Sequence, residues 1–288
     1  MFRRRAAVAA LALATLASSA FAQSKSTSAS NPCGEVVTLK THDGTTTRYA
    51  LAGPTQAPAG DPIALALLVG GGGDLNLDDR GCPRALKGNS LVRSLPHFHA
   101  EGFVTALVDV PSDHRGEDGL GGFRTSADHA ADLGLVVSDV RRRTSGSVWV
   151  VGTSRGTISA ANVASRFTSL ATPDGVVLTS AVTSGLRSAR SKPGVSQTVF
   201  DLKLDAIRSP VLVIGHAADQ CARTPPDLMR DITARTRGSR QQVVLVKGGP
   251  GIPGGSADVC EGRAPHGFVE QEAEVVAGIA RFIRGGSY

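Results

Sequence analysis

Val148-Trp149-Val150-Val151-Gly152-Thr153-Ser154-Arg155-Gly156-Thr157 is the stretch around which this 288-residue chain organises itself. Its first four residues are β-branched or aromatic, the composition of a buried strand. The run stops at Gly152-Thr153-Ser154-Arg155-Gly156, and the Ala-rich segment from Ile158 to Phe167 has helical character. A serine in a sharp strand-to-helix turn needs small neighbours, and its hydroxyl then stands above the sheet edge. With 34 glycines in the chain, five residues alone carry little weight. The strand before and the helix after carry it.

Outward from this stretch the chain divides into a leader and a folded part. Arg3-Arg4-Arg5, the apolar run Ala6 to Leu16 and Ala20-Phe21-Ala22 read as a signal peptide over residues 1–22. Residues 23–32 read as a polar, flexible leader. The apolar run is too short to span a membrane and none later approaches eighteen residues, so we expect an exported protein, periplasmic or secreted, with no membrane span. Removing the three leader arginines lowers the net charge from +6 to +3. No basic cluster is interleaved with aromatics, so a nucleic-acid partner is not expected. Arg141-Arg142-Arg143 instead ends a helix, where cations suit the dipole. The four cysteines, an even count in an exported chain, imply two disulfides with three possible connectivities.

In the remaining part, Val36 to Lys40 and Thr45 to Tyr49 flank His42-Asp43-Gly44, a hairpin signal. Ile63 to Val69 is a continuous apolar run followed by Gly70-Gly71-Gly72-Gly73. Ser90 to Glu101 reads as a short helix interrupted or begun near Pro96, and Phe103 to Val110 as the next strand. From Ser126 the pattern is helical, with Ala127, Ala130, Ala131, Leu133, Leu135, Val136, Val137 and Val140 in one broad apolar stripe. Short apolar runs at 176–178, 211–215 and 241–246 alternate with helical segments at 227–236 and 270–284. This alternation implies a mainly parallel sheet covered on both faces. The segment 179–209 is polar and too poor in apolar periodicity for a large helical cap.

Strand, Gly-x-Ser-x-Gly and helix form a nucleophile elbow, and with it the chain resembles the α/β-hydrolase family, in the manner of an exported serine esterase or lipase. The resemblance implies a single α/β domain over residues 33–288, with a mostly parallel central sheet of about eight strands. It also implies the chain order nucleophile, acid, histidine. Ser154 is then the nucleophile. His266, in Ala264-Pro265-His266-Gly267-Phe268 before the final helix, stands where the family keeps its base. Asp219 follows the strand 211–215 and resembles the family's acid, ahead of Asp258, Asp201 and Asp205; His216 reads as a packed or supporting residue. The oxyanion hole is expected from the backbone N–H of Arg155 and from Gly71 or Gly72 in the four-glycine run. Pairing Cys33 with Cys82 and Cys221 with Cys260 would tie the acid loop to the histidine loop.

No cofactor or metal is implied: His97, His99, His114 and His129 are scattered and no HExxH helix exists. Trp149 reads as core. The expected activity is hydrolysis of an ester or related acyl bond of a small-molecule substrate through a covalent acyl-enzyme. A peptidase or acyltransferase with the same triad, or a non-catalytic exported binding protein on this fold, is the alternative.

Overall fold

The structure, a computed structural model, describes Met1 and residues 33–54, 60–185, 194, 196–251 and 258–288. Apart from Met1, the segments expected to be signal peptide and leader lie outside the described residues. Residues 31–288 form one unit. In chain order it comprises β1 (Glu35–Lys40), β2 (Thr46–Ala52), β3 (Ile63–Leu68), α1 (Ser90–Arg93), α2 (Leu95–Ala100), β4 (Val104–Pro111), α3 (Ala127–Thr144) and β5 (Ser147–Thr153). There follow α4 (Gly156–Arg166), β6 (Gly175–Thr179), β7 (Val211–His216), α5 (Met229–Arg235), β8 (Gln241–Val246) and α6 (Glu272–Ile283).

The eight strands form one sheet in the order β1-β2-β4-β3-β5-β6-β7-β8. β2 runs antiparallel to β1 and β4; every pairing from β4 onward is parallel. The hairpin joining β1 to β2 turns at Asp43 and Gly44, both at positive φ, which Asp-Gly tolerates. Because successive strand residues face opposite ways, β3 sends Ala64, Ala66 and Leu68 into one core and Leu65 and Leu67 into the other. The first core is closed by α3, α4 and α5, the second by α1, α2 and α6. Two covered faces explain the unbroken apolar runs of the parallel strands. β8, at the edge, stays half exposed.

Two local readings change. Ser90 to Glu101 folds as two short helices broken at Ser94, with the Asn89 side chain capping the first and Pro96 opening the second. In α3 the apolar stripe is narrower than its composition suggests: Ala127, Ala131 and Leu135 are exposed, Leu135 by 48%. At 100° per residue these positions fall outside the arc through Ala130, Leu133, Val136, Val137 and Val140. Polar His129, Asp132 and Asp139 complete the buried face instead. Trp149 is core, edge-on to Phe282, and its indole occupies the space that a side chain at Gly175, its neighbour on β6, would need. Between β6 and β7 the described residues contribute only two 3-10 turns, at Val199–Asp201 and Leu204–Ala206.

Candidate active site

The turn between β5 and α4 places Ser154 at φ +51, a left-handed conformation that costs a non-glycine residue. Its surroundings hold it there. Ser154 N–H donates to Thr179 O at 2.9 Å, and Thr157 returns its backbone N–H and hydroxyl to Ser154 O. The flanking glycines are required by contact: a Cβ at Gly152 would lie 2.5 Å from Gly156 O, and one at Gly156 would lie 2.0 Å from Leu68 O. Small residues therefore let α4 start directly against the end of β3.

Ser154 lines a cavity of about 340 Å³ together with Gly70, Gly71, Leu86, Ser90 and His266. His266 sits in a 3-10 turn ahead of α6 and is buried. Its Nδ1 lies 3.0 Å from Asp219 Oδ2 and 3.1 Å from Thr224 Oγ1, while its Nε2 has no partner among the described residues. Asp219 is fixed in turn: Cys221 N–H donates to Oδ1 at 2.9 Å and the Thr224 hydroxyl to Oδ2 at 2.8 Å. With the carboxylate accepting at Nδ1, the free lone pair of a neutral imidazole is at Nε2, the atom left open. The structure thus brings Ser154, Asp219 and His266 to one end of the sheet. Asp201 is occupied at Thr198 and Asp258 at the Cys260 amide. His216 is buried between Gln271 and the Ala218 amide.

The loops carrying the acid and the histidine are joined by the disulfide Cys221–Cys260, and a second bridge, Cys33–Cys82, ties the start of the fold to the loop after β3. Three further residues support the histidine loop, none singled out by the sequence. The Ser180 hydroxyl donates to His266 O at 2.7 Å. Arg93 donates to Gly267 O at 2.8 Å while paired with Glu272. Thr224, three residues beyond Cys221, bridges acid and base.

Of the two glycines expected to serve an oxyanion, Gly71 (φ +59) lines the cavity, whereas Gly72 faces the loop at 117–120 and accepts from Leu120 N–H. Buried Arg124 holds this run from below, its Nη2 donating to Val69 O and Gly71 O at 3.2 Å each and its Nη1 to Ser159 Oγ at 2.7 Å. Burial, then the nearby charge of Arg155, pushes the Arg124 guanidinium down to about 9. Burial likewise lowers Arg155, opposed by Asp118, and its Nε and Nη2 have no hydrogen-bond partner among the described residues.

No family model and no curated protein matches the chain in sequence. In structure it is similar to Est1E from Butyrivibrio proteoclasticus, at 12% identity and TM-score 0.59 over 87% of this chain and 98% of that one. It is similar to Thermogutta terrifontis esterase 2, at 18% identity and TM-score 0.56 over 90% and 97%. An α/β serine hydrolase without a lid from Xanthomonas campestris aligns at 17% identity and TM-score 0.50 over 83% and 93%. With its eight-stranded, mostly parallel sheet and no large cap among the described residues, the chain has the α/β-hydrolase fold.

Proposed function

We propose that this protein is a serine hydrolase that cleaves an ester or related acyl bond of a small molecule. One observation carries the reading: His266, whose buried Nε2 has no partner among the described residues, and a strained Ser154 line the same cavity, with Asp219 on the far nitrogen of the imidazole. Ser154 Oγ attacks the acyl carbon while His266 Nε2 takes its proton. Asp219 stabilises the imidazolium that forms. The backbone N–H groups of Gly71 and Arg155, neither of which donates to another acceptor among the described residues, receive the developing oxyanion. The proton then passes from His266 to the leaving alcohol, and water, activated by the same nitrogen, releases the acid. Likeness to esterases favours an ester over an amide. Two disulfides suit an oxidising compartment outside the cytoplasm.

The test is labelling with a fluorophosphonate, with peptide mapping, beside Ser154→Ala and His266→Ala. Label on Ser154 that disappears in both variants is the expected result, followed by turnover in a panel of neutral and anionic esters, amides and thioesters. A folded protein with an accessible cavity that takes no label would sink the catalytic reading and leave a binding protein on this fold.

A further inference from the structure

A second group of chemically competent side chains lies outside the cavity. His42, at the β1–β2 turn, and Asp113 and His114, on the loop after β4, bring one ring nitrogen of each histidine and one Asp113 carboxylate oxygen within 4.8 Å of one another. Asp113 Oδ2 is 3.2 Å from His42 Nε2 and 3.8 Å from His114 Nε2. The outward-facing atoms are matched by anchored inner ones. His42 Nδ1 lies 2.6 Å from Oδ2 of Asp132, whose Oδ1 accepts the His42 N–H, and His114 Nδ1 lies 3.3 Å from Gly119 O. Each ring can donate from Nδ1 to oxygen, the orientation of imidazoles bound to metals; His114 Nε2 then keeps its lone pair, and His42 Nε2, which donates to Asp113 in the metal-free protein, would exchange that proton for the ion.

We propose that His42, Asp113 and His114 form a site for one divalent transition metal ion of the zinc class, with water in the remaining coordination position. Two imidazoles and a carboxylate suit zinc, whose ligand atoms at about 2.0–2.2 Å in a tetrahedron stand about 3.4 Å apart. The two spacings to Asp113, 3.2 and 3.8 Å, bracket that value, and the ligand atoms of all three residues lie within 4.8 Å of one another, so closure needs the two imidazoles drawn together. The loop is already pinned on either side of that movement. Gly116 N–H donates to Asp74 and Leu120 N–H to Gly72 O, and the His114 ring stacks on Phe123 with centroids 4.1 Å apart. The exposed edge of Asp113, 45% accessible, admits the ion from solvent. Bound metal would staple the hairpin turn to the loop between β4 and α3, elements about 70 residues apart in sequence and joined otherwise by hydrogen bonds and ring contacts.

Calorimetric titration of the whole protein with zinc chloride, at about pH 8 where free imidazoles are neutral, tests this. One ion per chain is expected, with affinity lowered about 10-fold or more in His42→Gln, His114→Gln and Asp113→Asn and unchanged in His97→Ala. Cobalt(II) should give a visible absorption band that the same three variants lose. If His42→Gln does not fold, the two loop variants decide, since Asp113 and His114 lie toward solvent. No binding, binding that survives both loop variants, or binding lost in His266→Ala instead would overturn the proposal.

Discussion

His266 and His42 each set Nδ1 against a buried aspartate and differ in what lies on the other side of the ring. His266 Nδ1 is 3.0 Å from Asp219, and His42 Nδ1 is 2.6 Å from Asp132. His266 lines a cavity with Ser154, and its buried Nε2 has no hydrogen-bond partner among the described residues. His42 Nε2 instead meets Asp113 near a third ring, His114. A carboxylate on Nδ1 orients an imidazole in either case. On the two proposals made above, what the oriented ring does depends on its outer side: a cavity shared with Ser154, or the Asp113 carboxylate beside His114.

The sharpest way to break this comparison is to remove the acid from each pair. Asp219→Asn should lower kcat/KM by about 10⁴-fold, because the imidazole is then held in the wrong tautomer. Ser154→Ala should cost at least as much. Asp132→Asn should leave ester turnover within about twofold and instead lower stability by about 1–3 kcal/mol, read from urea unfolding, since two hydrogen bonds to a charged group are weakened. A large loss of kcat in Asp132→Asn would mean that the two pairs are not independent.

Next in size are the disulfides. Each closes a loop of 39 or 49 residues and should contribute about 4 kcal/mol on the chain-entropy model. Replacing Cys221 and Cys260 with alanine should lower kcat as well as the midpoint of unfolding, because Cys221 N–H holds Asp219 and Cys260 lines the cavity. The same change at Cys33 and Cys82 should lower the midpoint alone. Equal kcat in the two variants would show that the acid loop holds its place without the bridge.

The smallest effect concerns a third histidine. His129 is fully buried on α3, where burial, then the charges of Arg124 and neighbouring histidines, pushes its imidazole well below the ordinary 6.5. It therefore stays neutral in the folded chain and takes a proton on unfolding. Below about pH 6.5 the unfolded state binds more protons, so stability should fall on acidification, by at most about 1.4 kcal/mol per pH unit from this group. His129→Gln should flatten that part of the profile of unfolding free energy against pH. A profile unchanged by the substitution would remove His129 as its source.

Ser154, Asp219 and His266 could be picked out in the sequence as candidates because each sits where a local pattern changes: a strand ends in glycines, a strand ends in an acidic loop, a proline turn precedes a helix. Thr224, Ser180 and Arg93 were not, since their partners around His266 lie 42, 86 and 174 residues away. Nothing in their own neighbourhoods marks them. Leu135 misled for a related reason: its composition is apolar, but a rotation of 100° per residue turns it to solvent while Asp132 and Asp139 turn inward.

Sequence alone was sufficient for the elbow, because its requirement is local: Gly152 and Gly156 must let two backbones touch, and any Cβ would prevent it. It was likewise sufficient for the parallel sheet, since strands covered on both faces must be apolar throughout. The meaning of each histidine was settled elsewhere. His42 and His266 both follow a strand, and both hold an aspartate distant in the chain. Folding put Ser154 at the cavity His266 lines, and Asp113 and His114 beside His42, because the contacts that separate an open nitrogen from a shared one are made across the sheet and not along the chain.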